Sequence, residues 1–290
     1  MQTGKQASAS SQLRFVLAAF PERYSLPARP GSATAAVQDA HRQTNFLLPD
    51  ELFLFERAMN VQLQAVAANA KLRTPQAAGL FTLWSRTFSH LADACALTVQ
   101  ASYASAAPLL RAALDCIAAQ RSMIADGFAE YEEWHAGAVT QARERHALAF
   151  DIGRFRAASV LAQDERLGLL YRLLSDLAMP HFGSSTLLVA PDTNQQRISA
   201  GFADNAFHLG WAELITGWLL ELAAAQVGTI LSTDVLKLSK TLRSDCEAAV
   251  RDIAAMLGGG RRCYVEPEED RFLFHNFRRT ATGQPRRIIL

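Results

Sequence analysis

The chain has 290 residues, of which 50% are hydrophobic and 20% are charged, and its formal net charge is +1 at pH 7. This length and hydrophobic content suffice for a large core and exclude a chain that is disordered throughout. A net charge so close to zero argues against a nucleic-acid-binding surface that covers the whole protein.

Helical periodicity and residues typical of helix termini recur along most of the chain. They predict helices at 11–20, 49–70, 75–102, 105–126, 129–149, 163–178, 204–231 and 233–257. The segment 22–36 carries proline and glycine and predicts a loop. The segment 185–200 combines β-forming residues with a Pro-Asp turn signal, which predicts a long loop or a small hairpin. Residues 261–277 predict one or two short strands.

These elements predict an all-α fold, a multi-helix bundle of seven or eight helices with minor β decoration and an extended C-terminal arm. We divide the chain into an N-terminal helix and arm at 1–48, the helical bundle at 49–257 and a basic C-terminal arm at 258–290. The last of these segments contains seven arginines and four acidic residues. We expect it to dock on its own body or on a second subunit.

Cysteines and hydrophobic segments predict a cytoplasmic protein without a membrane partner. The four cysteines, Cys95, Cys116, Cys246 and Cys263, are far apart and form no CxxC pair, which favours free thiols in a reducing compartment. The first residues show no apolar signal region. The most apolar stretch, 209–231, contains Glu213 and Glu221, so we interpret it as a buried soluble helix rather than a membrane span.

The helix 105–126 raises a question, because it places Arg111 one turn before Asp115. A helical wheel puts both on a narrow polar stripe bordered by alanines, which fits a solvated ion pair. However, the acid follows the base, and Arg111 lies soon after Pro108, where a cation opposes the helix macrodipole. We therefore expect a tertiary partner for Arg111. The candidates are Glu213 and Glu221, which flank small residues on the 204–231 helix.

Two short motifs resemble a known family. "SAAPLLRAALD" carries Arg111 and Asp115, and "YRLLSDLAMPH" runs from Tyr171 through Ser175 to His181. This pattern, over roughly 70–80 residues, resembles uncharacterised all-helical bacterial proteins related to the HEPN group. The chain departs from the family pattern, because Asp115 replaces the usual Glu and a proline displaces His181 beyond the helix.

Nuclease members of that group use Arg-x(4–6)-His, and none of the seven histidines has an arginine at this spacing. The resemblance therefore does not imply ribonuclease activity by that motif. Other chemistry is weakly marked. Glu132 and His135 form one Glu-x-x-His pair, whereas a helical di-metal site needs two, so we predict no metal and no cofactor. His181 lies beside two serines without a nucleophile-elbow context, which leaves enzymatic activity undecided.

Three functions stay open. The first is a non-catalytic binding or interaction protein of the bacterial cytoplasm that self-associates as a homo-oligomer. The second is a small-molecule or nucleotide-binding protein, with a polar pocket near Arg111 and the 175–185 loop. Its candidate ligand-binding residues are Arg111, Asp115, Ser175, His181, Glu213 and Glu221. The third is an RNA-binding or RNA-processing defence-type protein, because the C-terminal arm interleaves phenylalanines with Arg278, Arg279, Arg286 and Arg287.

Overall fold

The structure is a computed structural model that describes residues 15–136, 160–161, 163–259 and 262–290. Within these residues it is predominantly helical with a small β-sheet, which confirms that part of the predicted fold class. Its complete helices are α1 (Ala35–Leu47), α2 (Pro49–Asn69), α3 (Pro75–Val99), α4 (Tyr103–Ala125), α5 (Glu165–Ala178), α6 (Phe182–Val189), α7 (Leu209–Leu231) and α8 (Lys240–Leu257). Its strands are β1 (Tyr264–Glu268), β2 (Arg271–Phe277) and β3 (Arg286–Ile289).

Helix-terminal residues explain where most helices begin. Thr74 accepts the Ala77 N–H at the start of α3, as its position before Pro75 predicts. Asp164 caps α5 and Ser239 caps α8, so α8 begins later than the periodicity predicts. Residues 129–136 are also helical, and the rest of the helix predicted at 129–149 lies outside the described residues.

The N-terminal segment differs from the prediction. Residues 15–33 form no helix, so the helix predicted at 11–20 is wrong over its described part, and α1 was not predicted. Tertiary contacts explain the extended conformation. The Phe15 ring stacks on Phe81 at 5.7 Å between centroids, and Tyr24 packs edge-on against Phe55 at 5.8 Å. The segment thus follows the surface of α2 and α3 because the rings of Phe15 and Tyr24 are partly buried there.

The segment 185–200 also differs, because its first part belongs to helix α6. The rest of the segment is irregular apart from a single bridge between Asn194 and Arg197, which agrees with the long loop and not with the small hairpin of the prediction. The β-forming residues of α6 adopt a helix because this conformation buries Ser184 and Leu187 against the body. Local propensity is a weak predictor where burial favours another conformation.

Helix α7 is the core helix of the protein. It packs against α2, α3, α4 and α8, and it is buried on nearly all sides. By length and composition it is the one described helix that could cross a membrane, yet 67% of its most apolar window is buried inside the fold. A helix that is hydrophobic all round is expected at the centre of a large core, so burial accounts for its composition.

The C-terminal residues fold into an antiparallel sheet in the order β1-β2-β3 and do not form an extended arm. The central strand β2 buries Phe272, Leu273, Phe274 and Phe277. Phe274 and Phe277 meet Trp211 of α7 edge-on, at 6.2 and 5.5 Å between centroids. These contacts confirm that the C-terminal residues dock on the chain's own body. They dock as a folded sheet, so the prediction of an extended arm is wrong.

The chain after β2 closes the N-terminus of α7. The Leu209 N–H donates to the Arg279 carbonyl at 2.9 Å, and the Gly210 N–H donates to the Arg278 carbonyl at 2.8 Å. A Cβ at Gly210 would lie 2.9 Å from Phe277 Cδ2, so this close approach of strand and helix requires glycine. The sheet thus satisfies donors that a helix N-terminus otherwise leaves unpaired.

Candidate functional site

Arg111 has a tertiary partner, as predicted, but the partner lies on α5. Its Nε donates to Ser175 Oγ at 2.8 Å, and its guanidinium carbon lies 3.6 Å from the centre of the Tyr171 ring. Asp115 pairs with the other end of the guanidinium. Because α4 begins at Tyr103, Arg111 lies more than two turns inside the helix, and the opposing macrodipole that the sequence suggested is small there.

The predicted pairing of Arg111 with Glu213 or Glu221 is wrong, because each glutamate binds different arginines. Glu221 pairs with Arg166 of α5. Glu213 accepts the Cys263 N–H at 2.9 Å, and its Oε1 lies 3.9 Å from Arg278 Nη2. Small residues on α7 were expected to admit an arginine from α4. Instead, the C-terminal sheet provides the arginine of the Glu213 pair.

His181 is exposed at the N-terminus of α6 and makes no capping side-chain bond. Ser175, by contrast, donates to the Tyr171 carbonyl at 2.6 Å while it accepts from Arg111. The structure therefore brings Arg111, Asp115 and Ser175 together and leaves His181 apart on the surface. None of the three cavities described below includes these four residues, so their role in ligand binding stays a prediction.

Most of the arginines proposed for nucleic acid are engaged within the chain. Three of the four contact acidic side chains or carbonyls of the same protein: Arg278 with Glu213, Arg279 with Asp192, and Arg286 with the carbonyls of Pro191 and Thr193. Arg287 is exposed. A phosphate backbone would have to displace these contacts, so the sheet offers less free positive charge than its sequence suggests.

A polar cavity of about 310 Å³ lies where the N-termini of α4 and α7 meet, and we call it the α4–α7 cavity. Its wall combines the start of both helices, the end of α6, the segment 201–206 and one arginine after β2. Its polar lining residues are Ser102, Tyr103, Ser105, Asp204, Asn205, His208, Trp211 and Arg279. The volume is at the lower end of the roughly 300–1,000 Å³ that is typical of small-molecule sites.

Two ring nitrogens of the lining residues are buried without a hydrogen-bond partner, namely His208 Nε2 and Trp211 Nε1. Both residues are only 1% exposed. His208 Nδ1 accepts the Trp211 backbone N–H at 3.3 Å, so the neutral ring carries its proton on Nε2. Burial lowers the pKa of His208 to about 4, which keeps the ring neutral at pH 7. Each ring therefore holds an unused N–H donor, at a cost of about 1–3 kcal/mol apiece.

The backbone of the same wall is strained at two alanines. Ala101 has φ 56° and Ala203 has φ 50°, and both line the cavity. The left-handed conformation costs a residue with a Cβ about 1–2 kcal/mol. Ala101 ends α3 as the left-handed residue of its C-terminal cap, in which the Ala101 and Ser102 N–H groups donate to the Thr98 and Leu97 carbonyls. Ala203 lies in the irregular segment before α7, and backbone strain at such positions is often found near functional sites. Strain and unpaired donors thus occur together in one cavity wall.

A second cavity of about 350 Å³, which we call the α5–α7 cavity, contains Glu213 and Glu221. Arg166 and Arg262 also line it, and a third cavity of about 440 Å³ continues it past Glu221. Both carboxylates already have arginine partners, as described above. Burial raises the pKa of Glu213 and of Glu221, although these arginines favour the charged forms. Since the charges are paired within the protein, this cavity has the chemistry of a structural ion-pair site.

His208 and Trp211 were not among the predicted site residues, and little in the sequence distinguishes them. Trp211 belongs to the apolar stripe of the core helix, and His208 directly precedes that helix, where a capping role is the ordinary interpretation. A signal was present in the segment 185–200, predicted as a long loop or small hairpin, since long irregular segments carry function more often than core helices do. The pocket rim predicted at 175–185 directly precedes this segment.

No family model, curated protein or solved structure matches this chain. The resemblance to HEPN-related proteins therefore stays a prediction. The contact between Arg111, Tyr171 and Ser175 does join residues from both motifs that carry the resemblance. Across the described ranges, no group of three His, Cys, Asp or Glu side chains is arranged to hold a metal ion.

Proposed function

We propose that the protein binds a small molecule in the α4–α7 cavity. The observation that supports this function is the pair of buried N–H donors, on His208 and Trp211, that no group of the described chain satisfies. Buried polar groups are hydrogen-bonded in nearly all native structures, so an unpaired pair in one cavity wall favours an acceptor from outside the chain. This is the second of the three functions open from sequence, with its site at the N-terminus of α4, about two turns before Arg111.

Binding explains the cavity better than catalysis does. His208 Nδ1 is engaged as a helix cap, and the low pKa of the ring removes it as a proton carrier near pH 7. Burial also raises the pKa of the Tyr103 hydroxyl, which therefore donates a hydrogen bond without releasing its proton.

We also propose that the protein is cytoplasmic, and its free, buried cysteines agree with this location.

The test is a thermal-shift screen of the purified protein with small acids, amides, amines, alcohols and nucleosides. A ligand that binds only the folded state raises the Tm in proportion to the logarithm of its concentration. Ala104→Trp should abolish the shift, because Ala104 lines the cavity and is exposed enough for the ring to enter its mouth. Ala125→Trp, an exposed position on the same helix that lines none of the three cavities, should leave the shift intact. A panel in which no compound raises the Tm would overturn the proposal.

Self-association is a second candidate function, favoured by an exposed apolar surface on α6 and on the segment that follows this helix. Phe182 is 97% and Phe202 is 102% exposed, and large exposed apolar patches are typical of interaction sites. Phe182 and Val189 lie seven residues apart on one face of α6. The Gly201 N–H donates to the Val189 carbonyl at 2.8 Å, which brings Phe202 next to that face.

Light scattering after size-exclusion chromatography tests the second candidate. We expect a dimer that the double variant Phe182→Ser, Phe202→Ser converts to a monomer. Phe46→Ser is the matched control, since Phe46 is 78% exposed on α1 and lies outside this surface. A monomeric wild-type protein at high concentration would reject self-association and leave the small-molecule proposal unaffected.

A further inference from the structure

We propose that the α4–α7 cavity binds the carboxylate of a small organic acid. This inference rests on the proposed function and names the chemical class of its ligand. It depends on three properties of the described wall: the hydrogen-bonding roles of its buried groups, the charges around them, and the size of the cavity.

The unsatisfied buried groups of the wall are all donors. In the neutral tautomer fixed by its capping bond, His208 offers Nε2–H, and Trp211 offers Nε1–H. The Tyr103 hydroxyl accepts the His208 backbone N–H at 3.3 Å, which leaves its own proton free to donate. A ligand that satisfies these three residues must therefore present acceptor oxygens. A carboxylate presents two oxygens with about four acceptor positions and no donor.

The charged side chains near these donors have both signs. Asp192 has the largest effect on His208, Arg279 and Arg286 act in the opposite direction, and Arg279 also acts on Tyr103. The N-terminus of α4 has no side-chain cap and lies in the same wall, where it adds partial positive charge. Hydrogen bonds to a charged acceptor are about twice as strong as neutral ones.

Two side-chain acceptors of the wall already accept hydrogen bonds within the chain. Asp204 is exposed, and its Oδ1 accepts the Ala206 N–H at 2.9 Å. Ser102 Oγ accepts from Asn205 Nδ2 at 2.8 Å. A cationic ligand would therefore have to use the carboxylate at the rim and leave the buried N–H groups unsatisfied. An amine does not fit this cavity, and a carboxylate does.

The size of the cavity and the single arginine in its wall favour a carboxylate over a phosphate as the ligand. Arg279 is the one arginine in the wall and already pairs with Asp192 at 2.6 Å, so the site compensates one negative charge better than two. Apolar lining from Leu188, Val189 and Pro191 suits a short hydrocarbon group attached to the carboxylate. The inferred ligand is thus a small monocarboxylic acid in its ionised form.

The experiment compares matched probes on the full chain at pH 7: butyrate and benzoate, the uncharged butyramide and benzamide, butylamine, and inorganic phosphate. Titration calorimetry and saturation-transfer NMR report binding. We expect the two carboxylates to bind at least tenfold more tightly than their amides, and butylamine and phosphate not to bind. Trp211→Phe keeps an aromatic side chain, although a smaller one, and removes the N–H, and His208→Asn keeps a capping side chain. Each should weaken carboxylate binding about tenfold or more, as loss of a hydrogen bond to a charged group does.

Arg287→Gln is the matched control, because Arg287 is an exposed arginine of the same sheet that lies outside the cavity wall, and binding should be unchanged. Urea unfolding of each variant checks that it is folded before titration. If amides or butylamine bind as tightly as carboxylates and the two variants weaken them, the ligand class is wrong and the proposed function stands. Preferential phosphate binding, or carboxylate binding that neither variant weakens, also overturns the inference. If neither these probes nor the screening panel bind, the proposed function itself fails.

Discussion

Glu213 of α7 lies less than two turns from His208, the N-cap of that helix, and from Trp211 in its first turn, and these side chains differ in how their hydrogen bonds are satisfied. Glu213 is charged, conspicuous in the sequence and fully partnered, by the Cys263 N–H and by arginines of the C-terminal sheet. His208 and Trp211 are neutral and inconspicuous, yet each keeps a buried N–H without a partner. The contrast shows that charge in a core helix marks an anchor here, whereas missing partners mark the candidate binding site.

Phe277 joins the two regions, so its removal should have the largest effect. Its ring is fully buried, lies 5.5 Å from Trp211 and lies 4.6 Å from His208 between ring centroids. Phe277→Ala should lower the free energy of unfolding by about 3–5 kcal/mol in urea titrations, because it leaves a cavity at the junction of sheet and helix. Phe46→Ala, at an exposed ring, should change it by less than about 0.5 kcal/mol. A small effect of Phe277→Ala would mean that the sheet is not part of the core.

The buried ring of His208 in the cavity wall predicts that the free energy of unfolding depends on pH. The unfolded ring takes up a proton near pH 6.5 and the folded ring only near pH 4, because burial penalises its charge. The folded state therefore binds fewer protons in this window, and stability falls as the pH decreases from 6.5 to 4, by about 3 kcal/mol for this one group. Asp192 opposes the shift, and Arg279 and Arg286 reinforce it.

His208→Asn removes this titration and keeps a capping side chain. Urea unfolding of both proteins from pH 7 to pH 4 should show the wild type losing about 3 kcal/mol more than the variant. The difference between the two curves cancels the titration of all other groups. Parallel curves would show that His208 is hydrated in the folded protein, and its N–H would then no longer count as unsatisfied.

For Glu213, we predict that the hydrogen bond accepted by its side-chain oxygen contributes more to the free energy of unfolding than its charge does. Burial raises the pKa of Glu213, which means that the fold disfavours the ionised form despite the adjacent arginines. Glu213→Ala should cost about 1–3 kcal/mol, because the buried Cys263 N–H loses its acceptor. Glu213→Gln keeps an acceptor of the same shape and should cost less than about 1 kcal/mol. Equal losses in urea titrations would instead assign the anchor to the charge.

Local signals in the sequence predicted most of the long helices, whereas the contacts that hold the candidate site join distant residues. Thr74 and Pro75 predict the start of α3 because a helix cap involves neighbours along the chain. The Arg111–Ser175 bond joins residues 64 positions apart, and the partners of Glu213 lie 49 positions or more beyond it. A wheel can show that a charge needs a partner, but it cannot choose among distant candidates.

The candidate cavity was harder to predict than the fold for a related reason. His208 and Trp211 have residue types that suit a cap and a core, and their unusual property is the absence of a partner on the described chain. That absence depends on the whole surrounding structure and leaves no pattern in the sequence. Glu213 and Glu221 attracted attention because charge is visible in a sequence, although the fold satisfies both of them with arginines.

Arg111 provides the smallest and most selective test, because it is a partnered charge like Glu213 but lies near the surface, with 19% of its side chain exposed. Arg111→Lys should cost about 1 kcal/mol in urea titrations, since lysine keeps the charge and loses the planar stacking on Tyr171 and the bond to Ser175. Arg287→Lys should have no measurable effect. A double-mutant cycle with Tyr171→Leu should give a coupling of about 0.5–1 kcal/mol. Additive losses would mean that Arg111 contributes only an ordinary helical ion pair with Asp115. A tertiary partner would then indicate a stabilising charge only where the charged side chain is fully buried, as it nearly is at Glu213.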